Sequence, residues 1–116
     1  MSLTATVYHN PRCTKSREAL AWLESKGIEA DVVKYLDEPL TFETLQAVID
    51  QLGIEPKALI RTNEAEWKSE FKGSELGDEE LIYAMIEYPK LMQRPIVVIG
   101  DRAVVARPAD AIEGLL

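Results

Sequence analysis

The chain has 116 residues, 47% of them hydrophobic and 28% charged, which fits one soluble globular domain over residues 1–116 with a single modest core. Its net charge of −7 argues against non-specific grip on nucleic acid or an anionic membrane, and no apolar run approaches the ~20 residues that cross a bilayer. One cysteine and one histidine exclude an internal disulfide and a cysteine-built metal site. With no signal-peptide pattern at the N-terminus, a reducing, cytoplasmic setting is expected, with no bound cofactor.

Leu3 to Tyr8 alternates apolar and small residues and reads as a strand, broken by the turn His9-Asn10-Pro11. From Thr14 to Lys26, Ala19, Leu20, Trp22 and Leu23 recur at helical spacing, and Gly27 supplies a stop. Ala30 to Tyr35 reads as a second strand, so strand, helix and strand form a βαβ unit with a parallel pair. Thr41 is a good N-cap for a helix carrying Leu45, Val48, Ile49 and Leu52, stopped by Gly53. Pro56 opens a short helix Lys57–Ile60, and Glu64–Phe71 adds a further turn or two. Asp78 is expected to cap Glu79–Glu87, whose buried stripe is Leu81, Ile82, Met85 and Ile86, with Pro89 as terminator. Two strands, Ile96–Ile99 and Ala103–Ala106, flank the hairpin signal Gly100-Asp101, and Pro108 opens a last helix through Ile112.

This order predicts an α/β, thioredoxin-like fold: a four-stranded mixed sheet with a helical insertion at about 41–89. Pro95, directly before an apolar strand, stands where that plan carries a structural cis-proline facing the active site.

Cys13 follows the turn and starts the first helix, where unpaired N–H groups and the helix dipole favour a thiolate. The same groups suit an oxyanion. Arg12, Lys15 and Arg17 are nearby cations, and the Ser16 hydroxyl can donate to the sulfur. A packed, inert cysteine is the commoner fate of a lone thiol. The polar neighbours His9, Asn10, Arg12, Thr14, Lys15 and Ser16 are poor company for a core residue, so Cys13 is read as a nucleophile. His9 either raises the thiolate population or merely finishes the strand; the residues alone leave both open. Serine at position 16 replaces the second cysteine of a dithiol motif, so any covalent sulfur adduct needs an outside thiol, with glutathione or glutaredoxin as candidates.

Arg61, Arg94 and Arg107 lie far from Cys13 in sequence but near predicted element ends. Guanidinium groups grip tetrahedral oxyanions through paired hydrogen bonds. A solvated ion pair is the ordinary fate of such a residue, but Arg-Pro recurs at two strand boundaries, which favours a site for Arg94 and Arg107.

The segment His9-Asn10-Pro11-Arg12-Cys13-Thr14-Lys15-Ser16-Arg17 resembles the active-site loop of the glutaredoxin-coupled bacterial arsenate reductases, in a branch with lysine in the loop. Tyr35-Leu36, Ala58-Leu59-Ile60-Arg61, Tyr88-Pro89, Arg94-Pro95-Ile96-Val97-Val98 and Ala106-Arg107-Pro108 extend the resemblance over nearly the whole chain. It implies an arsenate reductase in which Cys13 attacks arsenate, Arg61, Arg94 and Arg107 hold the oxyanion, His9 helps keep the cysteine ionised, and Ser16 bonds at the sulfur. Asn10 and Lys15 join the substrate-binding set. Glutathione as co-substrate and glutaredoxin as partner complete the cycle. The best-known members read Cys-Gly-Thr-Ser-Arg; Thr14-Lys15 departs from this and changes backbone freedom and charge beside the oxyanion. The alternatives are a regulator resembling the Spx proteins, which bind RNA polymerase, or another glutathione-dependent thiol oxidoreductase.

Overall fold

The computed structural model describes residues 3–71, 73 and 75–116. They fall into two compact units, Met1–Glu38 with Arg94–Leu116, and Pro39–Gln93.

The first unit holds β1 (Thr4–Tyr8), α1 (Thr14–Ser25), β2 (Glu29–Val33), β3 (Ile96–Ile99), β4 (Arg102–Val105) and a 3-10 segment, Ala109–Leu115. The strands form one four-stranded sheet in the order β2-β1-β3-β4. β1 runs parallel to β2, with Val7 opposite Val32, because α1 carries the chain back between them. β1 is antiparallel to β3, with Val7 opposite Val97, and β3 to β4, with Val97 opposite Val104. This is the mixed sheet of the thioredoxin-like fold that the element order predicts. Gly100 takes φ +64 at the first position of the β3–β4 turn, a conformation that favours glycine.

Alternation in β1 decides the core. Ala5 and Val7 point inward with no exposure, against Ala19 and Leu23, which stand one turn apart on α1. Val97, Ala106 and Ile112 close the same cluster, so the C-terminal 3-10 segment is held by an apolar anchor. Truncating the fully buried Leu23 to alanine is predicted to cost about 2–5 kcal/mol, measurable by denaturant unfolding.

In the second unit are α2 (Phe42–Leu52), a 3-10 turn Pro56–Leu59, α3 (Ala65–Glu70), α4 (Asp78–Glu87) and a 3-10 turn Pro89–Leu91. Thr41 caps α2 as expected: its Oγ1 accepts from the Thr44 amide at 3.1 Å, and Gly53 ends the helix at φ +69. Leu45, Val48 and Ile49 of α2 and Leu81, Ile82 and Met85 of α4 are buried. Ile60 and Met92 form an isolated antiparallel bridge, flanked by bonds from the Arg61 amide to Leu91 O (2.6 Å) and from the Gln93 amide to Leu59 O (2.8 Å).

Several boundaries differ from the sequence reading. β2 is Glu29–Val33 rather than Ala30–Tyr35, because Lys34 O accepts from the Asp37 and Glu38 amides and turns the chain there. Pairing with β1 rather than burial defines this edge strand, four of whose five residues are exposed. Gly77, not Asp78, is the N-cap of α4; its amide donates to the Glu80 carboxylate at 3.2 Å, and Asp78 occupies the first turn. Pro108 precedes the last segment, which is 3-10 and runs to Leu115. The Arg94–Pro95 bond is cis, as the fold plan implies, and so is Arg107–Pro108, which was not anticipated.

Candidate active site

Strand direction gathers the chemistry of the first unit at one end of the sheet. The chain leaves β1 at Tyr8, which stands opposite Ile96, the first residue of β3. Ile96 in turn stands opposite Val105, the last residue of β4. The amide of Ala106 donates to Pro95 O at 2.8 Å and extends that ladder by one step. The loop carrying Cys13, Arg94 two residues before β3 and Arg107 two residues beyond β4 therefore share this end.

The loop is braced from within. Asn10 Oδ1 accepts from the Arg12 amide at 3.0 Å, and Asn10 O accepts from the Cys13 amide at 3.0 Å, which curls the chain into α1. Arg17 reaches back from α1: Nη1 donates to Pro11 O at 2.9 Å and Nη2 to Thr14 Oγ1 at 3.2 Å. Sequence reasoning counted Arg17 as a loose cation and missed this clamp. Its position three residues after Thr14, on the same helix face, was the available signal.

Cys13 occupies the N-cap of α1 with extended backbone, φ −94 and ψ 122, and is half-buried. Burial raises its thiol pKa, but the Ser16 and Lys15 backbone N–H groups, the Ser16 hydroxyl and the Arg107 charge together outweigh burial and leave it lowered. Ser16 has no exposure, and its Oγ accepts weakly from the Asn10 amide at 3.4 Å. That bond occupies the oxygen and leaves the hydroxyl proton for the sulfur.

His9 is 5% exposed, its amide donates to Val33 O at 2.8 Å, and its buried Nδ1 has no hydrogen-bond partner among the described residues. Burial, then the Lys34 and Arg17 charges, lower its pKa below the ordinary 6.5, so the ring is neutral at pH 7.

The remaining candidates divide. Arg107 is exposed and acts on Cys13 through its charge. Arg94 is half-buried, and its buried Nε has no hydrogen-bond partner among the described residues. Lys15 offers its amide to the thiolate, while its ammonium lies 3.5 Å from Glu18 in a half-exposed pair. Asn10 engages its carbonyl oxygen within the loop. Pro95 holds the Ala106 amide. Arg61 belongs to the second unit, where its guanidinium pairs with Glu64 at 2.6 Å.

Residues 8–115 match the model of the ArsC family. The chain is 41% identical to an uncharacterized Escherichia coli protein, YfgD, over 97% of this chain and 96% of that one. It is 38% identical to an arsenate reductase of Neisseria meningitidis, covering 95% of this chain and 96% of that one. Among solved structures it superposes on an arsenate reductase from Vibrio cholerae with a TM-score of 0.95 and 41% identity, covering all of both chains.

Proposed function

The chain belongs to the ArsC family, and from that premise we propose that it is an arsenate reductase whose nucleophile is Cys13 and whose reducing equivalents come from glutathione and glutaredoxin in the cytoplasm. The observation that carries this reading is the place of Cys13 at the N-cap of α1, where the Lys15 and Ser16 amides, the Ser16 hydroxyl and the Arg107 charge favour its thiolate.

In the first step the Cys13 thiolate forms a bond to arsenic and one arsenic–oxygen bond breaks. The departing oxygen leaves as water, with one proton from the arsenate and one from solvent. Arsenic stays pentavalent. The N–H groups at the start of α1 and the guanidinium groups of Arg94 and Arg107 offset the charge on the oxyanion. An external thiolate then attacks the Cys13 sulfur. The sulfur–arsenic electron pair stays on arsenic, which leaves as arsenite and takes up protons. The two sulfurs are thereby oxidised to a mixed disulfide. A second thiol, from glutaredoxin, returns Cys13 to its reduced state by exchange. The chain's lone cysteine makes the outside thiols necessary.

The resemblance assigns Arg61 to oxyanion binding as well. An Arg61→Ala protein with an unchanged melting temperature and a raised KM for arsenate supports that assignment; an unchanged KM removes it. The defining test is arsenate-dependent NADPH oxidation coupled through glutathione, glutaredoxin and glutathione reductase, with Cys13→Ser as control. Turnover requiring arsenate, glutaredoxin and Cys13 supports the proposal. A folded protein with a reactive Cys13 and no turnover sinks it.

A further inference from the structure

The first unit holds a pocket of about 370 Å³ lined by Asn10, Pro11, Arg12, Lys34, Leu36 and Asp37. One wall is the three residues that precede Cys13; the other is the turn after β2. Because β1 and β2 are parallel, both walls rise from the end of the sheet that carries the nucleophile. The volume is in the range of small-ligand sites, which run from about 300 Å³ upward.

Its lining carries charges of both signs. Arg12 and Lys34 are cationic and Asp37 is anionic, in a chain whose net charge is −7. Among the described residues none of the three is in an ion pair, although Lys34 and Asp37 stand in one turn. The other loop cations are engaged: Lys15 lies beside Glu18, and Arg17 clamps Pro11 and Thr14. Arg12 and Lys34 are thus left without an ion pair in the pocket wall, which half-buried Leu36 also lines, and the Arg12 side of that wall leads directly into Cys13 along the chain.

We propose that this pocket docks the external thiol, a small peptide thiol carrying carboxylates and an ammonium group. Its carboxylates meet Arg12 and Lys34, its ammonium meets Asp37, and its sulfur is turned toward Cys13. The inference rests on the reading of Cys13 as a nucleophile that an outside thiol must discharge. The step it serves is the one above: the docked thiolate bonds to the Cys13 sulfur, the sulfur–arsenic pair stays on arsenic, and both thiols end as one disulfide.

The test has two arms. S-methylglutathione cannot react, so it reports docking alone when titrated into ¹⁵N-labelled wild-type protein. Amide shifts centred on Arg12, Lys34 and Asp37, weakened in Lys34→Ala and restored in Lys34→Arg, are expected. In the arsenate assay, Arg12→Ala and Lys34→Ala should each raise the KM for glutathione about threefold, and the double variant about tenfold, from loss of charge-assisted contacts. For Lys34→Ala the KM for arsenate and kcat at saturating thiol should hold. Shifts elsewhere, no shifts, or an unchanged glutathione KM in an active double variant overturns the pocket while leaving arsenate reduction standing. A wild-type protein inactive toward arsenate overturns the function, and the S-methylglutathione arm still decides the pocket.

Discussion

The Ala106 amide donates to the Pro95 carbonyl at 2.8 Å, one step beyond the Ile96–Val105 pair. That bond brings the two Arg-Pro junctions side by side, so Arg94 and Arg107 flank the same open end of the β3–β4 hairpin. Arg107 is exposed there, and the attraction between exposed charges is screened over about 10 Å at 0.1 M salt. The apparent pKa of Cys13, read from the pH profile of iodoacetamide alkylation, is therefore predicted to climb with added salt. In Arg107→Ala it should start higher and respond less. A wild-type profile indifferent to salt would remove Arg107 from the thiolate's support.

Ser16 offers a sharper perturbation. It has no exposure, and both its amide and its hydroxyl favour the Cys13 thiolate. Ser16→Ala keeps the amide and deletes the hydroxyl. A hydrogen bond to a charged group is worth about 1.5 kcal/mol or more, so the alkylation profile should move to higher pH by roughly tenfold in proton concentration. Alkylation near neutral pH should slow accordingly, while the rate at high pH, where the thiol is fully ionised, should match wild type. Equal rates at every pH would mean that the hydroxyl does not reach the sulfur.

Arg17 is predicted to act on geometry. Its two bonds, to Pro11 O and Thr14 Oγ1, tie both flanks of Cys13 to α1. Arg17→Ala should lower stability by about 1 kcal/mol, the typical net worth of a hydrogen bond, because the bonds are exposed. The loss of activity should be larger than that figure suggests, since loop placement controls which N–H groups face the sulfur. Arg17→Lys should not restore it, because an ammonium cannot span both acceptors as a planar fork does. Full activity in Arg17→Ala would reduce the clamp to a packing detail.

The fold was readable because its signals are local. Thr41, Gly53, Gly100 and the apolar alternation of β1 each act through their own backbone, and each does in the structure what its residue type predicts. β2 was misplaced because an edge strand paired only with β1 has no buried face to print a pattern on the sequence. At the site, Cys13 and Ser16 were legible from their place at a helix start. The clamp by Arg17 and the pocket bounded by Lys34 and Asp37 were not, since they depend on which side chains find partners after folding. The same limit applies to Lys15, whose pairing with Glu18 is one of several open to a surface lysine.

Burial sets the sign of the pH dependence that His9 brings to stability. The ring is 5% exposed, and burial, Lys34 and Arg17 all push its pKa below 6.5. The unfolded chain then binds a proton at His9 more readily than the folded one. The stabilisation from keeping the ring neutral is complete above pH 6.5 and is lost as pH falls from there through the folded-state pKa. Wild-type melting temperature should therefore drop on going from about pH 7 to about pH 5.5, a window in which ordinary carboxylates contribute little. His9→Gln, which cannot be protonated, should be less stable at neutral pH if the ring packs well, but should show a shallower slope across that window. Lys34→Ala and Arg17→Ala should each flatten the slope in part, since removing either charge eases protonation of the ring. Parallel slopes for wild type and His9→Gln would mean that the imidazole titrates alike in the folded and unfolded chain, contrary to its burial.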